Sequence, residues 1–207
     1  MKPVICFIDD SGFEHELVKS EIAPRAADFE FVQTYTFAEL TKELGTKVPG
    51  LFLLDLWGKD EDAGEPFITS KQELEQEISQ FPSLDQVYEG LDDCTGDVYN
   101  EYLKRFFAIV DCWRSLFETV CARIGQNGKY GLSNLREAKK HFPDVPTVFY
   151  TRKSLISDAV AMFKAGADGL FIKPTGSNDV ETRRLTREYA PQLIMDLKKI
   201  IESKAEK

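Results

Sequence analysis

The polar side chains best suited to chemistry in this sequence come directly after short apolar runs. Three acids, a hydroxyl and a lysine share this placement: Asp9 and Asp10 after residues 4–8, Asp55 after residues 51–54, Thr151 after residues 145–150, and Lys173 after residues 169–172. Apolar runs without helical spacing are typical of strands that are buried on both faces, as in a parallel sheet. Open parallel sheets bind their ligands beyond the carboxyl ends of the strands. We therefore expect these side chains to meet at one edge of one sheet.

The elements that must position these side chains are strands that alternate with helices. The apolar pattern predicts strands at residues 3–8, 29–35, 51–56, 145–150 and 169–172. Their order along the chain begins β-α-β-α-β with short connections, which favours right-handed crossovers. The sequence therefore predicts an α/β protein with a five-stranded, parallel, doubly wound sheet.

Two of the helices carry specific expectations. The first helix is expected to bury Phe13, Leu17 and Ile22 and to stop at Pro24. The last helical region covers residues 179–203, and Pro191 lies inside it. Because proline removes a backbone donor, we expect it either to kink this helix or to begin a new one.

A helix-rich segment separates the third strand from the fourth. The apolar spacing there predicts helices near residues 71–81, 84–91 and 95–124. Apolar residues of the long helix recur at alternating gaps of four and three, a heptad pattern: Tyr99, Leu103, Phe106, Val110, Trp113, Phe117, Val120 and Ile124. Either the shorter helices cover this stripe, or it pairs with its copy in a second chain as a homodimer. We predict a single domain over residues 1–207 with a helical insertion at residues 58–130.

Composition and charge argue against several classes of function. The formal net charge is −9, and residues 58–135 hold 15 acids and 7 bases. Such a surface disfavours nucleic acid, whose phosphates require clustered lysine and arginine. No apolar run approaches the roughly 18 residues needed to cross a bilayer, and no leader precedes the first strand. We therefore expect a cytoplasmic protein without a membrane partner. The scattered cysteines and histidines do not form a zinc motif.

Taken together, these residues resemble the receiver domain of two-component response regulators. The likeness is carried by motifs that follow the strands in the family's order: Ile8-Asp9-Asp10, Leu54-Asp55, Tyr150-Thr151 and Ile172-Lys173-Pro174, with Ala165-Gly166-Ala167-Asp168-Gly169 before the last strand. It covers about residues 1–57 and 131–203. The resemblance implies a flavodoxin-like receiver fold with the strand order 2-1-3-4-5.

The resemblance also implies a role for each residue at the strand ends. Asp55 is the phosphoacceptor, and Thr151 and Lys173 contact the phosphoryl oxygens as the catalytic residues. The residues implied as Mg²⁺ ligands are Asp9, Asp10, Asp55 and the main-chain carbonyl of Trp57. The ion would neutralise charge between two anionic reactants. The family's Lys-Pro bond is cis, which would aim Lys173 inward before Pro174.

A stand-alone regulator is the function that this resemblance favours. The phosphoryl donor would be a sensor histidine kinase or a histidine phosphotransfer protein, and the signal would pass to an output protein that the sequence does not name. No DNA-binding domain follows residue 203, which argues against a transcription factor. We expect a phosphoacceptor with Mg²⁺-dependent self-phosphorylation and self-dephosphorylation, and not an enzyme that turns over a separate substrate.

Departures from the family pattern leave other interpretations open. Leu170 stands where the family has an aromatic switch residue, and Arg152 stands where it has a small one. Both favour a pseudo-receiver, a module that binds proteins or dimerises without being phosphorylated. Phosphatases of the haloacid dehalogenase kind also use an aspartate at a strand end. Their motif needs a second acid, which Asp55-Leu56-Trp57 lacks.

Overall fold

The computed structural model describes residues 2–59, 64–152 and 156–205. The strands in chain order are β1 Val4–Ile8, β2 Glu30–Thr34, β3 Pro49–Leu54, β4 Gly58–Lys59, β5 Gln126–Asn127, β6 Thr147–Thr151 and β7 Gly169–Ile172. The helices are α1 Gly12–Leu17, α2 Phe37–Leu44, α3 Lys71–Ile78, α4 Leu84–Tyr88, α5 Val98–Arg123, α6 Lys129–His141, α7 Ile156–Lys164 and α8 Asp179–Ala205. A π-helical turn, Val18–Ile22, and a 3-10 turn, Ala23–Arg25, continue α1.

The main sheet is parallel, with the order β2-β1-β3-β6-β7. When the two-residue strands β4 and β5 are set aside, this is the predicted order 2-1-3-4-5, and the predicted α/β class is confirmed. β3 lies at the centre, because Leu54 pairs with Ile8 of β1 and with Phe149 of β6. Residues 51–54 of β3 are completely buried, as expected for a strand covered on both faces.

Helices cover both faces of this sheet. On one face, α8 and the π-helical turn enclose a core with alternate strand residues: Ile5, Phe7, Val18, Ile22, Leu51, Leu53, Val148, Tyr150, Leu193 and Leu197. On the other face, α2 and α6 pack against the strands, and the ring of Phe37 lies 6.1 Å from that of Phe52. Because both faces are covered, a ligand approaches most readily at the strand ends.

The first helix is buried differently from the prediction. Leu17 and Ile22 lie in the core as expected, but Phe13 is only half-buried and Glu14 takes its place in the interior. The guanidinium of Arg183 lies 5.5 Å from the centre of the Phe13 ring. A carboxylate in the interior is tolerated only where charged or hydrogen-bonding groups meet it, and Glu14 has such partners at the sheet edge described below.

α8 continues without a break through Pro191, so the prediction of a new helix at this residue is wrong. A proline inside a helix costs about 3 kcal/mol. The residues around it, Ala190, Leu193 and Leu197, are completely buried against the sheet. Burial of a leucine side chain contributes about 1.5–3 kcal/mol, so the two leucines together offset the cost of the proline.

The chain divides into two compact units, residues 1–60 with 127–207, and residues 61–126. The first contains the whole parallel sheet. The second contains α3, α4 and α5, and its limits are close to the predicted insertion at residues 58–130. The assignment of the whole chain to one domain stays a prediction. Of the helices described, none is long and apolar enough to cross a membrane.

Within the second unit, the shorter helices pack on one side of α5. Phe81, just after α3, meets Trp113 edge-on at 5.3 Å, and Tyr88 of α4 lies 5.6 Å from Tyr102. The predicted heptad stripe is nevertheless largely open to solvent. Its exposed members and their neighbour Phe107 are between 37% and 83% exposed: Tyr99, Leu103, Phe106, Phe107, Val110, Trp113, Phe117 and Ile124. α3 and α4 therefore cover only part of the surface that the heptad pattern predicts to be buried.

Gly131, in the first turn of α6, touches the backbone that follows β3. Its N–H donates to the carbonyl of Leu56 at 2.9 Å. A Cβ at this position would lie 2.3 Å from the carbonyl oxygen of Asp55 and 2.6 Å from the Cα of Leu56. Only glycine permits so close an approach, and the contact holds in place the backbone that carries Asp55.

We predict that Gly131→Ala destabilises the protein, because overpacking costs about 1–3 kcal/mol. Helix propensity alone would favour alanine by up to about 1 kcal/mol, so a net loss reports the clash. Gly64→Ala is the matched control, since nothing lies within 4 Å of its added Cβ. Urea unfolding followed by circular dichroism measures both. Equal stability of the two variants would contradict the close approach.

Candidate functional site

The carboxyl ends of β1 and β3 bring three acids together. Carboxylate oxygens of Asp9, Asp10 and Asp55 lie within 4.8 Å of one another. The N–H of Asp55 donates to the carbonyl of Ile8 at 2.9 Å, which extends the β1–β3 ladder to the edge of the sheet. Asp9 and Asp55 are buried, whereas Asp10 is partly exposed. The cluster is therefore shielded from solvent at Asp9 and Asp55 and accessible to solvent at Asp10.

Lys173, after β7, reaches into this cluster. Its Nζ donates to the carboxylate of Asp9 and, at 3.1 Å, to Oδ1 of Asp55, and it lies 3.7 Å from Oε2 of Glu14. Burial alone would lower the pKa of Lys173, but the three carboxylates, led by Asp9, raise the pKa above its usual range. Lys173 is therefore a permanent positive charge at the centre of the site.

The peptide bond before Pro174 differs from the expectation. No peptide bond among the described residues is cis, so the cis Lys173–Pro174 bond implied by the resemblance is wrong. Lys173 is nevertheless buried. Its N–H donates to the carbonyl of Thr151 at 3.0 Å, and its Nζ lies 5.9 Å and 5.7 Å from the ring centres of Phe7 and Tyr150. The β6–β7 ladder and these two rings position the lysine.

Asp9 is the most buried of the three acids. Its carboxylate accepts the N–H of Ser11 at 2.9 Å, and its main-chain carbonyl accepts from Nε2 of His15 at 2.8 Å. Burial raises the pKa of Asp9 to about 7, against the lowering influence of Lys173 and with the help of the charge on Asp55. Asp9 therefore gains or loses its proton near neutral pH.

Thr151 and Trp57 are the remaining residues that the sequence assigns to the site. Thr151 ends β6, where it pairs with Ile172 of β7, and it is buried. Trp57 lies two residues beyond Asp55 and its side chain is buried as well. The contact between Gly131 and Leu56 fixes the backbone next to the Trp57 carbonyl. Their roles as phosphoryl contact and metal ligand stay predictions.

The donor set suits a hard divalent cation. Mg²⁺ takes oxygen ligands and keeps several of its waters. Asp9, Asp10 and Asp55 offer carboxylate oxygens, and the partial exposure of Asp10 leaves room for a hydrated ion. Close carboxylates repel one another, and the single charge of Lys173 meets both Asp9 and Asp55, so an added cation relieves the repulsion that is left. The residues present therefore fit Mg²⁺.

An ion pair between Glu14 and Arg152 was not foreseen from the sequence. Oε1 of Glu14 accepts from Nε and Nη2 of Arg152 at 2.9 Å and 2.6 Å. Arg152 also donates to the carbonyl of Pro174 at 2.7 Å and to the hydroxyl of Thr175 at 2.9 Å. The sequence signal was the unusual Arg152 after Thr151, but nothing in it identified Glu14 as the partner.

Tyr130 was assigned to the insertion, yet it packs beside the site. Its hydroxyl donates to the carbonyl of Tyr35 at 2.5 Å. A Cβ on Gly58 would lie 2.5 Å from its ring, so the phenol lies flat against the backbone just beyond β3. Burial first, and then the charges of Asp9, Asp10 and Asp55, raise the pKa of Tyr130 above its usual range. Tyr130 is therefore a neutral hydrogen-bond donor beside the acids.

Comparison with known proteins gives matches among solved structures. No protein-family model and no curated protein matches the chain. The crystal structure of a response regulator from Thermotoga maritima is 14% identical with a TM-score of 0.50, and the alignment covers 98% of this chain and 99% of that chain. The response regulator domain of Thermotoga maritima CheB is also 14% identical, with a TM-score of 0.50 and 98% of each chain covered. NtrX from Brucella abortus is 16% identical with a TM-score of 0.51, over 99% of this chain and 28% of that chain.

These matches confirm the receiver-like fold that the sequence motifs predict. At such identities they establish the fold alone, so the chemistry must be argued from the residues of the site. The residues assigned from the strand ends do meet at one edge of the sheet: Asp9, Asp10, Asp55, Thr151 and Lys173.

We predict that the Glu14–Arg152 pair stabilises the fold more than an exposed pair does. The side chains are 8% and 22% exposed, so Arg152→Met should cost about 1–3 kcal/mol, less than a fully buried pair because of the residual exposure. Arg184→Met is the matched control: it breaks an exposed pair with Glu188 and should cost under about 1 kcal/mol. Chemical denaturation measures both variants.

A double-mutant cycle separates the interaction energy between Glu14 and Arg152 from the contacts that each side chain makes with other residues. The variant Glu14→Gln/Arg152→Met should lose less stability than the sum of the two single variants, with a coupling of about 0.5–3 kcal/mol. Additive losses would show that the two side chains contribute independently, which is incompatible with a stabilising ion pair.

Proposed function

We propose that this protein accepts a phosphoryl group on Asp55 from a phosphohistidine of a sensor kinase or of a phosphotransfer protein. One observation carries the proposal. The carboxylate of Asp55 ends the central strand, with Lys173 at 3.1 Å and two further carboxylates within 4.8 Å. A reactive carboxylate, a fixed cation and a divalent-cation site are the parts that phosphoryl transfer to an acid requires.

The main obstacle to this reaction is electrostatic, because the attacking carboxylate and the phosphoryl group are both anions. Asp9, Asp10 and Asp55, with the main-chain carbonyl of Trp57, would hold Mg²⁺. When bound, the ion neutralises negative charge on the phosphoryl oxygens and aligns the reactants. Asp10 supplies the exposed side of this ligand set, whereas Asp9 supplies the enclosed side.

The chain's own residues then complete the transfer. An oxygen of Asp55 forms the new P–O bond as the P–N bond to the donor histidine breaks, and the imidazole leaves with the electron pair. Lys173, held at the end of β7 by its N–H bond to Thr151, offers its ammonium to the phosphoryl oxygens. The hydroxyl of Thr151, at the end of the neighbouring strand, donates to another phosphoryl oxygen.

A pseudo-receiver is the second candidate, and a specific observation favours it. Arg152 ties the end of β6 to α1 through Glu14 and to the loop after β7 through Pro174 and Thr175. Leu170 in β7 supplies no aromatic ring to report a change at the site. Such a fixed edge suits a module that binds protein partners in one conformation. Phosphorylation chemistry separates the two candidates directly.

We predict that phosphoramidate or acetyl phosphate, with Mg²⁺, labels the protein once, at Asp55. Asp55→Asn should abolish labelling and keep the fold, because the two side chains have nearly the same shape. Asp28→Asn is the control, since Asp28 is an exposed acid whose side chain is 71% accessible. Intact-protein mass spectrometry measures incorporation, and peptide mapping locates the acyl phosphate.

The outcomes of this labelling distinguish the candidates. Labelling of wild type and of Asp28→Asn, with none of Asp55→Asn, supports the phosphoacceptor. A folded wild type that takes no label with Mg²⁺ supports the pseudo-receiver. Repeated hydrolysis of a separate phosphomonoester substrate would instead indicate a phosphatase.

We predict that Mg²⁺ raises the melting temperature of the unphosphorylated protein. At 100 times the dissociation constant a ligand contributes about 2.7 kcal/mol, a rise of roughly 5–10 °C for a chain of this size. Asp10→Ala should remove the rise, because it deletes the exposed carboxylate of the cluster. Asp144→Ala changes an exposed acid outside the cluster and should keep it. Differential scanning calorimetry at constant ionic strength measures the shift. An undiminished rise in Asp10→Ala would mean that the ion binds elsewhere.

A further inference from the structure

α5 presents an apolar stripe that the shorter helices α3 and α4 cover only in part. The helix has 26 residues, so it is about 39 Å long. A strip of this length and about 10 Å in width has an area of roughly 400 Å², which is comparable to the largest apolar patch on a typical monomer (about 300–600 Å²), and such patches are often functional. Phe107 and Tyr99 are more than half exposed, and Val110 and Trp113 about half. Such a surface indicates a partner.

We propose that this partner is α5 of a second copy of the chain, packed in the antiparallel direction. The stripe has the same spacing when it is read from either end, since its gaps are four, three, four, three, four, three and four. In an antiparallel pair, each apolar residue of one stripe therefore lies opposite an apolar residue of the other, and each such pair forms one layer of the contact. The layers are Tyr99 with Ile124, Leu103 with Val120, Phe106 with Phe117, and Val110 with Trp113 of the second copy.

In the layers nearest the two-fold axis, a small side chain faces a large one. Val110 and Trp113 lie on either side of the midpoint of the stripe, so each small valine meets a large indole of the second copy. Large side chains opposite small ones interdigitate and fill space. Shape therefore favours this register.

Charges on the open edge of α5 match in the same register. Phe107 lies across from Arg114 of the second copy, because both hold positions that flank the seam, so each dimer gains two contacts between a cation and a ring. Lys104 and Glu118 of the second copy lie one position further out on the same edge, so their opposite charges attract across it. Phe107, Lys104 and Glu118 are all exposed. A parallel pairing would instead place Arg114 beside the apolar Ile109 of the second copy, because such pairs set e positions against g positions. The antiparallel direction is therefore the favoured one.

The distribution of charge also favours a contact along α5. This helix holds three acids and four bases, whereas residues 60–97 hold twelve acids and one base. Two copies that meet along α5 therefore bring together the least acidic part of the second unit and keep its acidic segment out of the contact.

Sedimentation velocity of the full chain tests the proposal. At about 100 µM, where a dimer with a micromolar dissociation constant is nearly complete, the wild type should sediment as a dimer. Phe107→Glu should be monomeric; this side chain is exposed, so the fold is retained. Val180→Glu is the control, since Val180 is an exposed apolar residue of α8, and it should stay dimeric. Asp55→Asn should also stay dimeric, because the contact does not depend on phosphorylation. A monomeric wild type overturns the proposal.

Charge reversal tests the register. Lys104→Glu and Glu118→Lys should each weaken the dimer about tenfold, since each replaces two attractive pairs by two repulsive ones. The double variant Lys104→Glu/Glu118→Lys should restore the wild-type dissociation constant. Single variants that leave the dimer unchanged, or a double variant weaker than either, overturn the antiparallel register. Circular dichroism establishes that every variant is folded.

Discussion

The crowding of negative charge at one edge of the sheet is the constraint on which the rest of this structure depends. Asp9 and Asp55 are buried with their oxygens within 4.8 Å of each other and of Asp10. Two unit charges 4 Å apart repel by about 4 kcal/mol at the effective dielectric of a protein surface. Lys173 supplies a positive charge against this repulsion, and burial still raises the pKa of Asp9 to about 7. Binding of a divalent cation or of a proton is therefore favourable at this cluster, since either one reduces the remaining repulsion between the carboxylates.

The architecture holds these charges together by fixing backbone segments far apart in sequence. Parallel strands end at the same edge, so β1, β3, β6 and β7 deliver their terminal residues to one place. Gly131 then lets α6 touch the backbone after Asp55, where a Cβ would collide. Glu14 and Arg152 add a second ion pair around Lys173, so that the carboxylate of α1 is shared between two cations. The site depends on rigid packing as much as on its acids.

The placement of most site residues could be predicted from the sequence, because these residues directly follow strands along the chain. Each of the acids, Thr151 and Lys173 comes straight after an apolar run, so recognising the run places the residue. The Glu14–Arg152 pair could not be found in this way, since its partners are 138 residues apart and Glu14 has the spacing of a surface acid. The prediction of a new helix at Pro191 is wrong for another reason. Helix propensity depends on the local sequence, whereas the burial that keeps α8 continuous comes from tertiary packing. The heptad pattern of α5 was visible, but which side α3 and α4 cover depends on their packing.

Arg152 limits how a change at Asp55 can spread through this fold. In the proposed phosphorylated state the hydroxyl of Thr151 approaches the phosphoryl oxygens, and its neighbour Arg152 must follow or resist. Arg152 is bound to Glu14 in α1 and to Pro174 and Thr175 after β7. Any displacement therefore works against hydrogen bonds to charged groups, each worth about 1.5–3 kcal/mol. Through Arg152, the residue that follows Thr151, α1 and the loop after β7 are thus connected to the end of β6. In the proposed phosphorylated state, the Glu14–Arg152 pair would therefore couple a displacement at Thr151 to α1.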